Sequence, residues 1–460
     1  RPVWEYLAVT DQVVVGSISV PHPVIQHAAY ASPEGKLLFA FDTRTGDLLW
    51  RFRPRDSVDP EATLIQDGVI YLVDRTSVSE LARRKRRHEP EALRSRLVAL
   101  DAQTGKILWQ RASPLPKCRR LWSSADALVL TDRPQLVVLS LPDGKELWRK
   151  HNITYSAKSG KGQISPNILG DTLYVNPHFY DLRTGKIRSM PNPLGTGEDP
   201  VKVGFRYGCG VNAFCETGAF FRAGSVGMFD LANLSGTHWL GNVRSGCWLN
   251  IIPAGGMVLM PESASGCTCP YNYQTSVAMV AGETHENWSA ITAKPPARIE
   301  RAAINIGAPG DQRRQDGDRR LWLGFPRAHR PNDGLRLPLL AFGRAARYVH
   351  RNADDTPVAG TEAPWIYTSG ISGVRKLALD MVTDRPALCP AAAAPPTVDG
   401  RLNDACWDNR ERLILRGVDQ IADPDTDVFL RHDDRHLYIA YRRRAAVRDG
   451  TLVPWTARAR

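Results

Sequence analysis

Short apolar runs recur along the first 190 positions. Each is closed by a polar turn and followed by a second run ending in a large side chain. Four stretches carry the pattern: LLFAFDTRTGDLLW ending at Trp50, RLVALDAQTGKILW at Trp109, QLVVLSLPDGKELW at Trp148, and TLYVNPHFYDLRTGKI around Gly185. In the first two, Asp stands four residues before Gly and Trp four after it: Asp42, Gly46, Trp50, then Asp101, Gly105, Trp109. The third keeps Gly144 and Trp148, with Ser140 at the Asp position. The fourth keeps Asp181 and Gly185, with Ser189 in place of Trp. A looser echo, GMFDLANLSGTHW, spans 227–239. Each copy predicts a β-hairpin. The apolar run is a buried strand, Asp and Thr or Ser bond the turn amides, and Gly supplies positive φ. The indole offers a large apolar face and one N–H, enough to fasten one hairpin to the next.

Upstream of each hairpin lies a further short strand signal: DQVVVGSISV, DGVIYLVD, ADALVLTD and GDTLYVN. Trp109 precedes Trp148 by 39 residues and Gly144 precedes Gly185 by 41; Trp50 precedes Trp109 by 59, the surplus matching a charged insert near 75–95. Periods of about 40–50 residues with four strands each predict propeller blades, the competing reading being an all-β sandwich. The turns of a propeller would share one rim.

The motif Asp-x-x-Thr-Gly-x-x-x-Trp resembles the blade motif of quinoprotein-like, or PQQ-like, β-propellers, over roughly residues 1–285. The resemblance implies an all-β chain with a propeller of about seven to eight four-stranded blades over 1–289, although this length at the observed period supplies about six or seven. The family includes quinone dehydrogenases and non-enzymatic propellers of bacterial outer-membrane assembly. The dehydrogenases hold pyrroloquinoline quinone (PQQ) over calcium, against a ring formed by two adjacent cysteines. This sequence has no adjacent Cys pair and no carboxylate cluster suited to a hard cation in the repeats. It therefore resembles the repeat rather than the dehydrogenase site, and no catalytic residue is assigned. A PQQ-dependent oxidoreductase stays as the alternative.

Composition narrows the picture a little. The 460 residues are 43% hydrophobic, as for a packed globular chain, and no apolar run reaches the roughly 18 residues of a membrane helix. Net charge is +12, part of it in Ala82-Arg83-Arg84-Lys85-Arg86-Arg87-His88. That tract reads as a solvated loop, because no aromatic residues interleave with the charges as a nucleic-acid surface would require. The chain opens on Arg1 without a signal segment and is read as a mature chain or fragment, expected in the periplasm or outside the cell.

Residues 204–276 set Cys209, Cys247, Cys267 and Cys269 beside glycines, with Arg206 and Arg244 nearby. Three readings stand open: disulfides between blades, a soft-metal site for Zn or Cu(I), or a reactive thiol activated by Arg. The segment resembles a bacterial subgroup of PQQ-like proteins with no settled activity. Cys118, beside Arg119 and Arg120, reads as an unpaired surface thiol. Hydrolase-elbow, phosphate-loop and HExxH patterns are missing, and Asp230 and Glu262 receive no catalytic role.

Residues 290–388 read as a small β-sandwich or jelly-roll-like region, with LPLLAF, RYVHRN, WIYTSGISG and RKLALDM as strands. Residues 389–400 read as an Ala/Pro linker. Over 401–460 the chain resembles part of a family-9-like carbohydrate-binding module, related to the DOMON-type sandwich. The match is carried from just before that boundary by Val398, Asp399, Gly400, Leu402, Asp404, Trp407, Asp433 or Asp434, His436, Leu437, Tyr438 and Ala440. Trp407 is expected in the core, and Leu437, Ile439 and Tyr441 are expected to share one strand face. The function expected from the sequence is an exported, non-enzymatic propeller scaffold with a glycan-directed module. An envelope-assembly propeller acting through protein contacts is the further alternative, with a glycan or an envelope protein as partner.

Overall fold

The computed structural model describes residues 3–20, 34–90, 92–118, 120–132, 134–151, 153, 166–205, 212–241, 251–261, 276–314, 319–327, 335–343, 345–383, 389–397, 399, 401–407, 412–416 and 421–443. The chain is almost entirely β and divides into two compact units, Arg1–Arg188 and Ser189–Arg460.

The first unit is a series of antiparallel meanders, three of four strands and one of three, the first two joined by a single pairing of Gly35 with Val58. Sheet one holds β1 (Val3–Val9), β2 (Val13–Val20), β3 (Glu34–Asp42) and β4 (Leu48–Phe52). Sheet two holds β5 (Val58–Gln66), β6 (Val69–Arg75), β7 (Ser95–Asp101) and β8 (Ile107–Ala112). Sheet three holds β9 (Leu121–Ser124), β10 (Ala127–Asp132), β11 (Gln135–Ser140) and β12 (Glu146–Lys150). Sheet four holds β13 (Asn167–Leu169), β14 (Thr172–Val175) and β15 (His178–Asp181), with Ile187 bridged to Tyr180 where a fourth strand would lie. These are propeller blades: meanders of four strands whose outermost member follows the Asp-to-Gly turn.

Period-two alternation sends the side chains of each strand to both faces, and both faces are apolar because neighbouring blades cover them. Val13, Val15, Leu38, Ala40 and Trp50 of the first blade pack against Val58, Ile70, Leu72, Val98 and Leu100 of the second. The second blade's other face, Tyr71, Val73, Leu97 and Ala99, meets Leu128, Leu130, Val137 and Leu139 of the third. The third blade's other face meets Leu173, Val175, Tyr180 and Leu182 of the fourth.

The charged insert is a helix rather than the expected solvated loop: α1 spans Val78–Arg86. Ser77 caps it by accepting the Glu80 amide, and Glu80 in turn pairs with Arg83 and Arg84 one turn on. Buried Glu34 ties the helix to the first blade by accepting the Ser79 amide and hydroxyl at 2.6 and 2.7 Å.

The second unit is less regular. One sheet joins Ala213–Phe214, Gly218–Ala223, Ser225–Asp230 and Thr237–Trp239 and adds Ser289–Ala290. A three-stranded meander follows at Ile252–Ala254, Met257–Met260 and Val277–Val280. Beyond residue 300, Leu339–Phe342 pairs with Lys376–Leu379 and, between them, Arg347–His350 pairs with Ser369–Ser372. Trp365 and Ile366, expected in a strand, lie in a 3-10 turn over Pro364–Ile366, which Pro364 opens with its fixed φ. A last meander runs Arg412–Arg416, Ala422–His432 and Leu437–Arg443.

Candidate functional site

The repeated turn is built the same way in all four blades of the first unit. The Asp or Ser amide donates to the residue after Gly, and the Gly amide donates back to the Asp or Ser carbonyl: 2.9 and 3.0 Å at Asp42, 2.9 and 2.8 Å at Asp101, 2.8 and 2.8 Å at Ser140, 2.8 and 2.9 Å at Asp181. The Asp carboxylate caps the turn. Asp42 accepts the amides of Arg44 and Thr45; Asp101 and Asp181 accept the amide and hydroxyl of Thr104 and Thr184. These bonds hold all three carboxyls below the usual carboxylate range, the Thr45 amide leading at Asp42 and the Thr hydroxyl leading at the other two. Gly46, Gly105, Gly144 and Gly185 take φ between 66° and 73°.

Each indole reaches into the turn of the next blade. Trp50 Nε1 donates to the Ala102 carbonyl at 2.9 Å, Trp109 to Leu141 at 3.0 Å, and Trp148 to Leu182 at 2.8 Å. In each case the acceptor is the residue after the turn's Asp or Ser. The ring then stands against the glycine. A Cβ on Gly105 would stand 2.7 Å from Trp50, one on Gly144 2.8 Å from Trp109, and one on Gly185 2.6 Å from Trp148. Glycine is thus required twice, for its left-handed backbone and for the ring above it. Arg111 adds a second grip, donating to the Gly144 carbonyl.

Among the described residues no indole is seen to bond the first blade's turn, and none of their atoms lies within 4 Å of a Cβ placed on Gly46. The face of the blade that leads to that turn is also bare along β1: Trp4 is 64% exposed, Leu7 63% and Val9 64%. Their cross-strand partners Ile18, Gly16 and Val14 continue the same face, and Phe39 reaches Trp4 edge-on at 5.1 Å between ring centres.

The outermost strands form a second surface. β4, β8 and β12 each pair on one side only. The position before each Trp is an exposed leucine: Leu49, Leu108 and Leu147. Leu48 and Ile107 lie exposed beside the first two.

Among the other sequence candidates, Cys209, Cys247, Cys267 and Cys269, with Arg206, Arg244 and Glu262, lie outside the described residues. Cys118 corrects its expectation. It is fully buried between the second and third blades with Leu115 and Leu121, and burial pushes its thiol up to about 12. Its Sγ donates to the Arg120 carbonyl at 3.2 Å. Among the described residues, no three His, Cys, Asp or Glu side chains converge on a point where a metal ion would sit. No described helix is long and apolar enough to cross a membrane.

In the C-terminal segment, Val398 and Gly400 lie outside the described residues. Trp407 packs with Phe429 and Ala440, only 8% exposed, so its ring is not offered for stacking. Asp433 accepts the Tyr438 hydroxyl at 2.5 Å and the His436 amide at 2.6 Å, closing the last hairpin. Leu437, Ile439 and Tyr441 are each more than half exposed on one strand face.

A family model described as outer membrane protein assembly factor BamB matches residues 3–150 and, overlapping that, 93–188. None of the curated proteins matches the chain. Among solved structures, BamB from Moraxella catarrhalis is 16% identical, covering 56% of this chain and 68% of its own, with a TM-score of 0.35. The computationally designed Ika4 protein is 12% identical, over 41% of this chain and 90% of its own, at 0.23. Kluyveromyces lactis Hsv2 is 10% identical, over 40% and 49%, at 0.25.

Proposed function

From a chain whose residues 3–188 are PQQ-like β-propeller repeats, we propose a non-catalytic scaffold of the bacterial envelope that gathers protein partners on its blades. The observation that carries this reading is the exposed leucine repeated on β4, β8 and β12. Most apolar side chains of the inner strands, such as Leu38, Leu72, Val98, Val129 and Val138, are buried to within a few per cent, yet Leu49, Leu108 and Leu147 stand 42–54% exposed on strands with an open hydrogen-bonding edge. Exposed aliphatic residues on unpaired edges are what a strand-adding protein partner uses. The description of the matching family model, an outer-membrane assembly factor, supports the same compartment and the same kind of work.

A photo-reactive residue placed at Leu108 should cross-link an envelope protein in cells, and the same residue at exposed Asp67 should not. Cross-linking equal at both positions, or found only with cytoplasmic proteins, would contradict the reading. The glycan-directed role of residues 401–460 and export itself belong to the same proposal. A glycan array and cell fractionation test them separately.

A further inference from the structure

The second blade carries an element that the third and fourth do without. In the third blade β10 ends at Asp132 and β11 begins at Gln135; in the fourth β14 ends at Val175 and β15 begins at His178. In the second blade the same connection runs from Arg75 to Ser95 and holds α1. The blade's core does not need the helix, since α1 has no fully buried residue. Yet the root of the insert is fixed. Thr76 donates its amide to the Arg94 carbonyl at 2.8 Å, and its hydroxyl accepts the Arg94 amide at 2.9 Å. Glu34 holds Ser79 in the first turn, and beside it buried Arg75 pairs with buried Asp59 at 2.8 Å. The insert is a projection clamped at its base.

Its cations divide into two groups. Glu80 engages Arg83 at 2.6 Å and Arg84 at 2.8 Å, and Glu89 lies 3.9 Å from Arg83. Among the described residues no carboxylate pairs with Lys85, Arg86 or Arg87, and all three are exposed, with exposed His88 after them. The helix dipole is a reason for cations in the last turn, but Arg83 and Arg84 already stand there. The surroundings narrow the partner. No Phe, Trp or Tyr occurs between 76 and 94, and no large apolar side chain described in that span is exposed. A protein interface is centred on desolvated apolar and aromatic anchors with charge kept to the rim, and single-stranded nucleic acid stacks on aromatic rings. Clustered cations without such anchors suit a dense field of phosphate charges, which attracts each Lys or Arg with no need of a pocket.

We infer that the exposed end of α1, through Lys85, Arg86 and Arg87, docks the propeller on the phosphate headgroups of an anionic lipid bilayer. The contact is peripheral and electrostatic: the cations meet headgroups, and no apolar side chain of the insert enters the hydrocarbon. This goes beyond the scaffold reading and rests on it only for a place beside a membrane.

The test uses the full chain and vesicles of phosphatidylglycerol mixed with phosphatidylcholine, read by co-sedimentation. The protein should sediment with them at low salt, stay free of pure phosphatidylcholine vesicles, and be released at about 1 M salt, where charges are screened beyond about 3 Å. Joint substitution Lys85→Gln, Arg86→Gln and Arg87→Gln should weaken binding about a hundredfold, at about fivefold for each cation, with the thermal unfolding midpoint kept. Lys106→Gln, Lys145→Gln and Lys186→Gln remove the same charge from exposed turn positions and should leave most of the binding. Arg86→Lys with Arg87→Lys keeps the charge without the guanidinium fork and should bind like the parent protein. Equal losses in the two glutamine variants would overturn the inference, since charge anywhere on the chain would then serve. So would loss in the lysine variant, which points to a bidentate acidic peptide, or release by millimolar inorganic phosphate, which points to a single-ion site. Tighter retention by duplex DNA than by the vesicles at equal salt would make nucleic acid the partner and overturn it as well. Failure of vesicle binding with the Leu108 cross-link intact removes this inference alone; failure of the cross-link with vesicle binding through α1 intact removes the protein-scaffold reading alone.

Discussion

The first unit and the 213–239 sheet of the second build related hairpin turns, the one at Asp230 a residue longer, and use them differently. In the first unit a tryptophan leaves each of three blades and seals the next. In the second unit Trp239 donates back to Ala223 of its own sheet at 3.4 Å and rests edge-on against Phe205. The receiving position there is Leu234, and the neighbouring Gly236 meets the Ala290 carbonyl instead of a ring. Backbone turns of this kind therefore do not require a latch. The latch is an addition that ties one apolar sheet to the turn of the next.

The largest test of this contrast is truncation of the indoles. Trp50→Ala empties a buried site and strands the Ala102 carbonyl, so chemical unfolding of the full chain should show a loss of about 3–5 kcal/mol. Trp239→Ala, at a ring 38% exposed, should lose about 1–2 kcal/mol. Equal losses would erase the distinction between the two regions.

Alanine at the glycines comes next. Gly105→Ala must both strain a positive φ and displace the Trp50 ring, at a cost of about 2–3 kcal/mol. Gly46→Ala pays for φ alone, about 1 kcal/mol. A reversal of that order in thermal unfolding would show that the ring does not press on Gly105.

Cys118 gives a smaller effect with a defined pH range. Burial keeps its thiol neutral in the folded protein up to about 12, well above the ordinary value of an exposed thiol, 9.0. The burial it provides is fully effective below about 9 and fades as pH rises toward about 12, because only the unfolded chain can ionise there. Alkylation at pH 8 should accordingly follow global unfolding, and rapid labelling of Cys118 in native protein would contradict the buried placement. At the smallest end, Leu108→Ser should alter stability by no more than about 0.5 kcal/mol, since its side chain faces solvent.

The repeat was legible because its chemistry is local. Asp, Gly and Trp at fixed spacing write the cap, the left-handed turn and the latch into a dozen residues. The helix at 78–86 also had a local signature, Ser77 followed three residues later by Glu80, but six consecutive basic positions and their loop-like charge obscured it. Cys118 was misjudged because its sequence neighbours are arginines, whereas its burial comes from Leu128 and Leu139, strands of a sheet packed around it. Which turn an indole covers could not be read from the glycine alone, because the indole arrives from another hairpin and the contact shows only when blades are placed side by side.

The central claim is that each indole presses on the glycine of the following blade. A double-mutant cycle joining Trp109→Ala and Gly144→Ala, followed by denaturant unfolding of the full chain, measures that contact. Gly144→Ala should be markedly less harmful once the ring is gone, giving a coupling of about 1–2 kcal/mol. Additive losses within about 0.3 kcal/mol would contradict it.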